Sequence, residues 1–143
     1  MPVNLDLKEA RGACHCGKVQ FHVRLSDGLR TARRCNCSYC RMRGAVAVSA
    51  ELDGLTILSG REWIATYQFN TMTAQHHYCR NCGIYTHHQR RSNPRLYGIN
   101  VACLEGMSPF DFEELPVYDG RQHPADGNHL IIAGILRFEP TRD

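Results

Sequence analysis

Eight cysteines fall along this 143-residue chain as Cys14-x-Cys16, Cys35-x-Cys37-x-x-Cys40, Cys79-x-x-Cys82 and a solitary Cys103. Clustering of this kind calls for a chemical cause. Disulfides suit an even count, but two cysteines one residue apart bridge only with strain. The first ten residues hold Asp6, Lys8 and Glu9 with no apolar export segment, so we expect reduced thiols in a cytoplasmic setting. Zinc gives the better account: it takes four tetrahedral ligands, with thiolates at about 2.3 Å, and close cysteine pairs on tight turns aim two sulfurs at one point. In Cys79-Arg80-Asn81-Cys82-Gly83 the closing glycine has the form of a zinc knuckle, where backbone amides approach the sulfur.

Counting suggests how the ligands divide. Two doublets make a complete set of four, so Cys14, Cys16, Cys79 and Cys82 are expected to hold one structural zinc. The triplet Cys35, Cys37 and Cys40 then offers three ligands to a second zinc and leaves its fourth position for water, a substrate thiolate, Cys103 or a histidine. An open position is what separates a catalytic zinc from a structural one, so the triplet is the catalytic candidate. Other divisions stay open: the triplet with Cys103 or His15 as a closed structural site, or a single zinc in all. Cys103, at the end of the strand-like Tyr97 to Ala102, reads as a core residue.

Around these ligands stand residues of lesser promise. Arg33, Arg34, Arg41 and Arg43 flank the triplet and could bind the carboxylates of a peptide-like thiol, or be ordinary surface arginines. His76-His77 and His87-His88 are adjacent pairs on strands, so at most one of each pair can face a site; His15 is a further candidate base, and none is assigned to catalysis. Tyr39 reads as loop packing, and Trp63, Tyr67 and Phe69 as core or pocket wall. Arg90, Arg91 and Arg95 lack an aromatic platform and read as a solvated loop. The formal charge of +3 counts thiols as neutral, and seven thiolates with two divalent cations would bring it near zero, so nucleic acid is not an expected partner. The longest apolar run, Leu130 to Leu136, is far shorter than the roughly 20 residues that cross a bilayer.

The elements that must position these groups are short. Strand-like runs occur at Val19 to Arg24, Ala45 to Ala50, Thr56 to Leu58, Ile64 to Phe69, Gln75 to Tyr78, Ile84 to Gln89, Tyr97 to Ala102 and Ile131 to Phe138. A short helix is expected over Ser38 to Arg43, a turn near Leu104 to Met107, and a long loop over Pro116 to Asn128. The length suits one domain, mainly β, whose loops are stapled by metal.

The pattern resembles the family of glutathione-dependent formaldehyde-activating enzymes, in the branch that includes centromere protein V. The likeness runs in order through Gly12-Ala13-Cys14-His15-Cys16-Gly17, Cys35-Asn36-Cys37-Ser38-Tyr39-Cys40, Thr66-Tyr67-Gln68-Phe69-Asn70-Thr71 and Tyr78-Cys79-Arg80-Asn81-Cys82-Gly83. It continues through Arg91-Ser92-Asn93-Pro94 and Asn100-Val101-Ala102-Cys103-Leu104 to Tyr118-Asp119-Gly120-Arg121, a core of about 11–121 within a single domain of 1–143. The resemblance implies a β-tent of zinc-stapled sheets, shared with a guanine-nucleotide-exchange chaperone. It also implies the zinc partition that counting gave. The implied activity is that of a carbon–sulfur lyase, joining glutathione to formaldehyde at the three-cysteine zinc or cleaving the adduct. The competing expectation is a noncatalytic zinc module that binds a protein or nucleic acid.

Overall fold

In Gln20–Arg24 the odd positions Phe21 and Val23 are fully buried while their neighbours are not, the alternation of a strand with one face on a core. The computed structural model describes residues 3–121 and 131–142. Eleven strands occur among them: β1 (Glu9–Ala13), β2 (Gln20–Arg24), β3 (Arg34–Cys35), β4 (Ala47–Glu51), β5 (Leu55–Ser59), β6 (Ile64–Tyr67), β7 (Gln75–Cys79), β8 (Tyr85–Gln89), β9 (Leu96–Asn100), β10 (Glu114–Tyr118) and β11 (Ile132–Arg137). They form three sheets, ordered β1-β2-β5, β11-β10-β3 and β4-β9-β8-β7-β6. One α-helix, α1 (Ser38–Arg43), and four 3-10 turns complete the described elements. The chain is mainly β with few short helices, as the periodicity predicts.

The core lies between the sheets. Phe21 and Val23 of β2 meet Val48 and Ala50 of β4, Ile99 of β9, and Val101, Leu104 and Leu115 from the turns and β10. Gly12 on β1 makes room for Phe21, whose ring a Cβ at residue 12 would strike at 2.3 Å. A second, smaller cluster collects Cys14, Val19 and Cys79 with Trp63, Ile64 and Cys82.

The helix occupies Ser38–Arg43 as the sequence predicts, with the Cys37 sulfur capping its start by accepting from the Cys40 amide and Gly44 closing it at φ 69°. Three expectations need correction. Tyr97 to Ala102 is not one strand: pairing with β4 stops at Asn100, whose side chain accepts from the Ala102 amide and starts a 3-10 turn over Val101–Cys103. Ile64 to Phe69 stops at Tyr67, where β7 ceases to pair with it. The expected loop Pro116 to Asn128 begins as strand, since Pro116 to Tyr118 belong to β10; the remainder from 122 lies outside the described residues. Pro116 is tolerated because β3 pairs only with Val117 and Tyr118, so no ladder is broken on that side. Strands β1, β3 and β10 carry no strand signal in the sequence reading: β1 is interrupted by Gly12, β3 has two residues, and β10 contains a proline.

Candidate metal centre

Two hairpin-like turns from different sheets build the first group. Cys14 ends near β1, where its amide donates to the Val19 carbonyl, and Gly17 turns the chain back at φ 80°. Cys79 ends β7, Gly83 repeats the same φ of 80°, and its amide donates to the Cys79 carbonyl at 2.7 Å. Each glycine follows the second cysteine of its pair and takes a left-handed conformation that other residues resist. The sulfurs of Cys14, Cys16, Cys79 and Cys82 all lie within 4.8 Å of one another. Cys16 Sγ is 3.6 Å from Cys14 Sγ and 3.7 Å from Cys79 Sγ. A tetrahedron of thiolates at about 2.3 Å from zinc has edges of about 3.8 Å, so the donor set and its spacing fit that ion. The Val19 amide also donates to Cys14 Sγ at 3.3 Å, and Lys18 and Arg80 lie over the Trp63 ring beside the group.

The second group is Cys35, Cys37 and Cys40, again within 4.8 Å. Backbone amides serve two sulfurs: Cys37 N donates to Cys35 Sγ at 3.4 Å and Cys40 N to Cys37 Sγ at 3.3 Å. Hydrogen bonds from Cys35 and Cys40 hold the Cys37 thiol well below its ordinary value, while hydrogen bonding to Cys37 holds Cys35 up. Three thiolates together require a cation, and three sulfurs with a fourth direction open is the donor set of a zinc that also takes a ligand. Gly120, just after β10, lies against this group; a Cβ there would stand 2.5 Å from Cys37 Cβ and 2.6 Å from Cys35 Sγ. Gly120 N donates to Asn36 Oδ1 at 2.8 Å, which ties the β10 end to the metal loop.

Neither group contains Cys103 or His15. Cys103 is buried in the main core and donates to the Tyr85 carbonyl at 3.4 Å, and burial pushes its thiol up to about 12. All eight cysteines are free of disulfide bonds.

A cleft of about 330 Å³ opens beside the triplet and is lined by Cys35, Cys37 and Cys40 together with six arginines, Arg33, Arg34, Arg43, Arg90, Arg91 and Arg121. Asp119 is the one carboxylate on its wall among the described residues, and Arg121 Nε donates to it at 3.1 Å. Arg33 and Arg90 converge on one hydroxyl, donating to Ser49 Oγ at 3.0 and 3.2 Å. Burial pushes Arg33 down to about 10, and the charge of Arg90 acts in the same direction. Arg43, at the end of α1, donates to Cys40 Sγ at 3.5 Å and to His76 Nδ1 at 2.9 Å, and its guanidinium lies 3.8 Å over the Tyr85 ring. Its Nε is buried with no hydrogen-bond partner among the described residues.

The histidine pairs divide as strand geometry requires. β7 and β8 pair His76 with His88 and His77 with His87, so His76 and His88 line the cleft while His77 and His87 stack on each other on the opposite face. Burial pushes His76 down to about 4. Tyr39 packs on Tyr67, Phe69 and His76. Of the arginines flanking the triplet, Arg33, Arg34 and Arg43 line the cleft and Arg41 does not. The solvated-loop reading of Arg90 and Arg91 is overturned: both line the cleft, and Arg90, the residue after β8, reaches past β9 to donate to Ser49 Oγ on β4. Asp119 and Arg121 stand in the sequence only as part of the Tyr118-Asp119-Gly120-Arg121 stretch that carries the family resemblance; that they reach the cleft follows from β10 meeting β3, which the sequence does not say.

Residues 9–115 match the family described as glutathione-dependent formaldehyde-activating enzyme. Over 80 residues the chain is 34% identical to a Halomonas elongata protein named "Putative glutathione-dependent formaldehyde-activating enzyme". That match covers 50% of this chain and 50% of the relative, so the chain spans about half the length of the curated relative it matches. A crystal structure of a Rhodobacter sphaeroides protein is 56% identical; the likeness covers 75% of this chain and 98% of that one, with a TM-score of 0.74. The matched family segment takes in well over half of the chain and every cysteine of both groups. The chain belongs to the glutathione-dependent formaldehyde-activating enzyme family.

Proposed function

We propose that this protein is a zinc-dependent carbon–sulfur lyase that joins a carboxylate-bearing thiol such as glutathione to formaldehyde or a related small aldehyde, or runs the reverse reaction. The observation that carries the reading is the three-cysteine group lying on the wall of an arginine-lined cleft. Cys14, Cys16, Cys79 and Cys82 would hold a structural zinc, and Cys35, Cys37 and Cys40 a second one open to a ligand. When bound there, zinc would stabilise a substrate thiolate near neutral pH or polarise an aldehyde oxygen.

The chain's own residues supply the rest. Arg33 and Arg90, held by Ser49, present two cations for a carboxylate at a distance from the sulfur site. Arg43 offsets the thiolate charge at Cys40. The cleft volume falls at the lower end of the roughly 300–1,000 Å³ usual for small-molecule sites. Reduced thiols of this kind suit a reducing compartment such as the cytoplasm. No helix among the described residues is long and apolar enough to cross a membrane. In the same reading the chain is one domain whose three sheets make a β-tent of the centromere protein V branch.

The test is metal content together with turnover of glutathione and formaldehyde. Two zinc ions per chain, one of them lost along with turnover in Cys37→Ser, supports the reading. A protein that binds neither glutathione nor other small thiols, with its triplet zinc fully enclosed by protein ligands, overturns it.

A further inference from the structure

A guanidinium has five N–H donors and no acceptor. Arg43 Nη1 approaches His76 Nδ1 at 2.9 Å, so in this contact Nδ1 accepts. An imidazole that accepts on Nδ1 is neutral and carries its proton on Nε2. The ring is held in that orientation by neighbours on several sides: Tyr39 at 4.4 Å, His88 at 5.3 Å and Phe69 at 5.7 Å between ring centroids. His76 is only 5% exposed, yet it lines the cleft. Its Nε2 is not an orphaned buried atom, since Arg43 Nε is the only such atom among the described residues. That leaves Nε2–H as a polar hydrogen opening on the cleft, joined through one guanidinium to the sulfur of Cys40.

We propose that His76 Nε2–H is a catalytic hydrogen-bond donor to the substrate oxygen that gains negative charge as the thiolate adds to the aldehyde carbon. This rests on the thiol–aldehyde reading given above. In the addition a sulfur–carbon bond forms and the carbonyl π pair moves onto oxygen. That oxygen receives the Nε2–H hydrogen bond and then takes a proton from water, which replaces the proton the thiol gave to solvent. In the cleavage direction the hydroxyl proton returns to water, the carbonyl re-forms and the thiolate leaves. His76 transfers no proton in either direction. Its Nδ1 is engaged by Arg43, and a donor fixed before substrate arrives needs no reorganisation when charge develops. Arg43 is the positioning residue, because it sets the tautomer.

Two measurements test this. In ¹⁵N spectra of the zinc-loaded wild type, His76 is expected to carry its proton on Nε2; a proton on Nδ1 overturns the proposal whatever the turnover. In kinetics with glutathione and formaldehyde, His76→Phe keeps the ring stacking and removes the donor. It is expected to lower kcat by about 10²–10³-fold, with KM for the thiol changed by less than about threefold and zinc content unchanged. His76→Gln returns an N–H near the Nε2 position and is expected to recover about tenfold of that loss. A His76→Phe enzyme with wild-type kcat overturns the proposal and leaves the thiol–aldehyde reading standing. A wild type with no turnover overturns that reading and the proposal with it.

Discussion

Cys103 and the clustered cysteines are chemically the same side chain put to different uses by their surroundings. In the core, facing the Tyr85 carbonyl, the Cys103 thiol is pushed up to about 12 by burial, against an ordinary value near 9. Below about pH 9 folded and unfolded chains both keep that proton; above it the unfolded chain releases it first, so stability is lost as pH rises toward 12. The loss has a ceiling of about 1.4 kcal/mol per pH unit. Cys103→Ala removes this component, so the stability difference between wild type and variant, measured by urea unfolding, should shrink from pH 8 to pH 11. A constant difference would show the thiol is not buried as described. The same variant should keep its full metal content, since Cys103 belongs to neither sulfur group. Arg43 makes the opposite use of a charge: it sits on Cys40 Sγ, and Arg43→Met should weaken retention of the second metal by about 10–100-fold in a chelator titration while leaving the first in place.

At the scale of elements, the cysteine doublets and the short helix after Cys37 were legible because each is local in sequence: a spacing, a glycine at the turn, a short run after the metal loop. The cleft was not, because its wall is assembled from segments distant in sequence. β3 and β10 pair in parallel over two residues each, which no periodicity reveals, yet that pairing carries Gly120 onto Cys35 and Cys37. Arg90 was misread for the same reason, since its partner Ser49 lies 41 residues away on β4. Gly98 on β9 serves a related purpose: a Cβ there would strike the His88 ring at 2.3 Å, so the glycine lets that ring lie against the strand. The element-level prediction is Gly120→Ala. Its Cβ has no room beside Cys35 Sγ, so the second metal should be lost or bound about tenfold more weakly in native mass spectrometry. The four-cysteine metal and the melting temperature should change little. Retention of both metals with wild-type affinity would mean the loop yields freely.

Across the whole molecule the two sulfur groups stand in different relations to the fold. Cys14 and Cys16 come from the β1-β2 turn of one three-stranded sheet, Cys79 and Cys82 from the β7-β8 turn of the five-stranded sheet. A metal among them therefore clamps two sheets whose small shared core is otherwise Val19, Trp63 and Ile64. The triplet spans only β3, its loop and α1, six residues of one segment, and closes no comparable loop. Structural zinc contributes its binding free energy, about 10–16 kcal/mol in small zinc peptides near pH 7, to folding itself. Cys82→Ser should therefore lower the melting temperature by about 10 °C or more, whereas Cys37→Ser should lower it by no more than a few degrees. Slow chelation should show the same order in the wild type, with the triplet metal leaving before cooperative unfolding and the four-cysteine metal leaving with it. Equal destabilisation by the two substitutions would mean that both metals are structural, and the open ligand position at the triplet would lose its support.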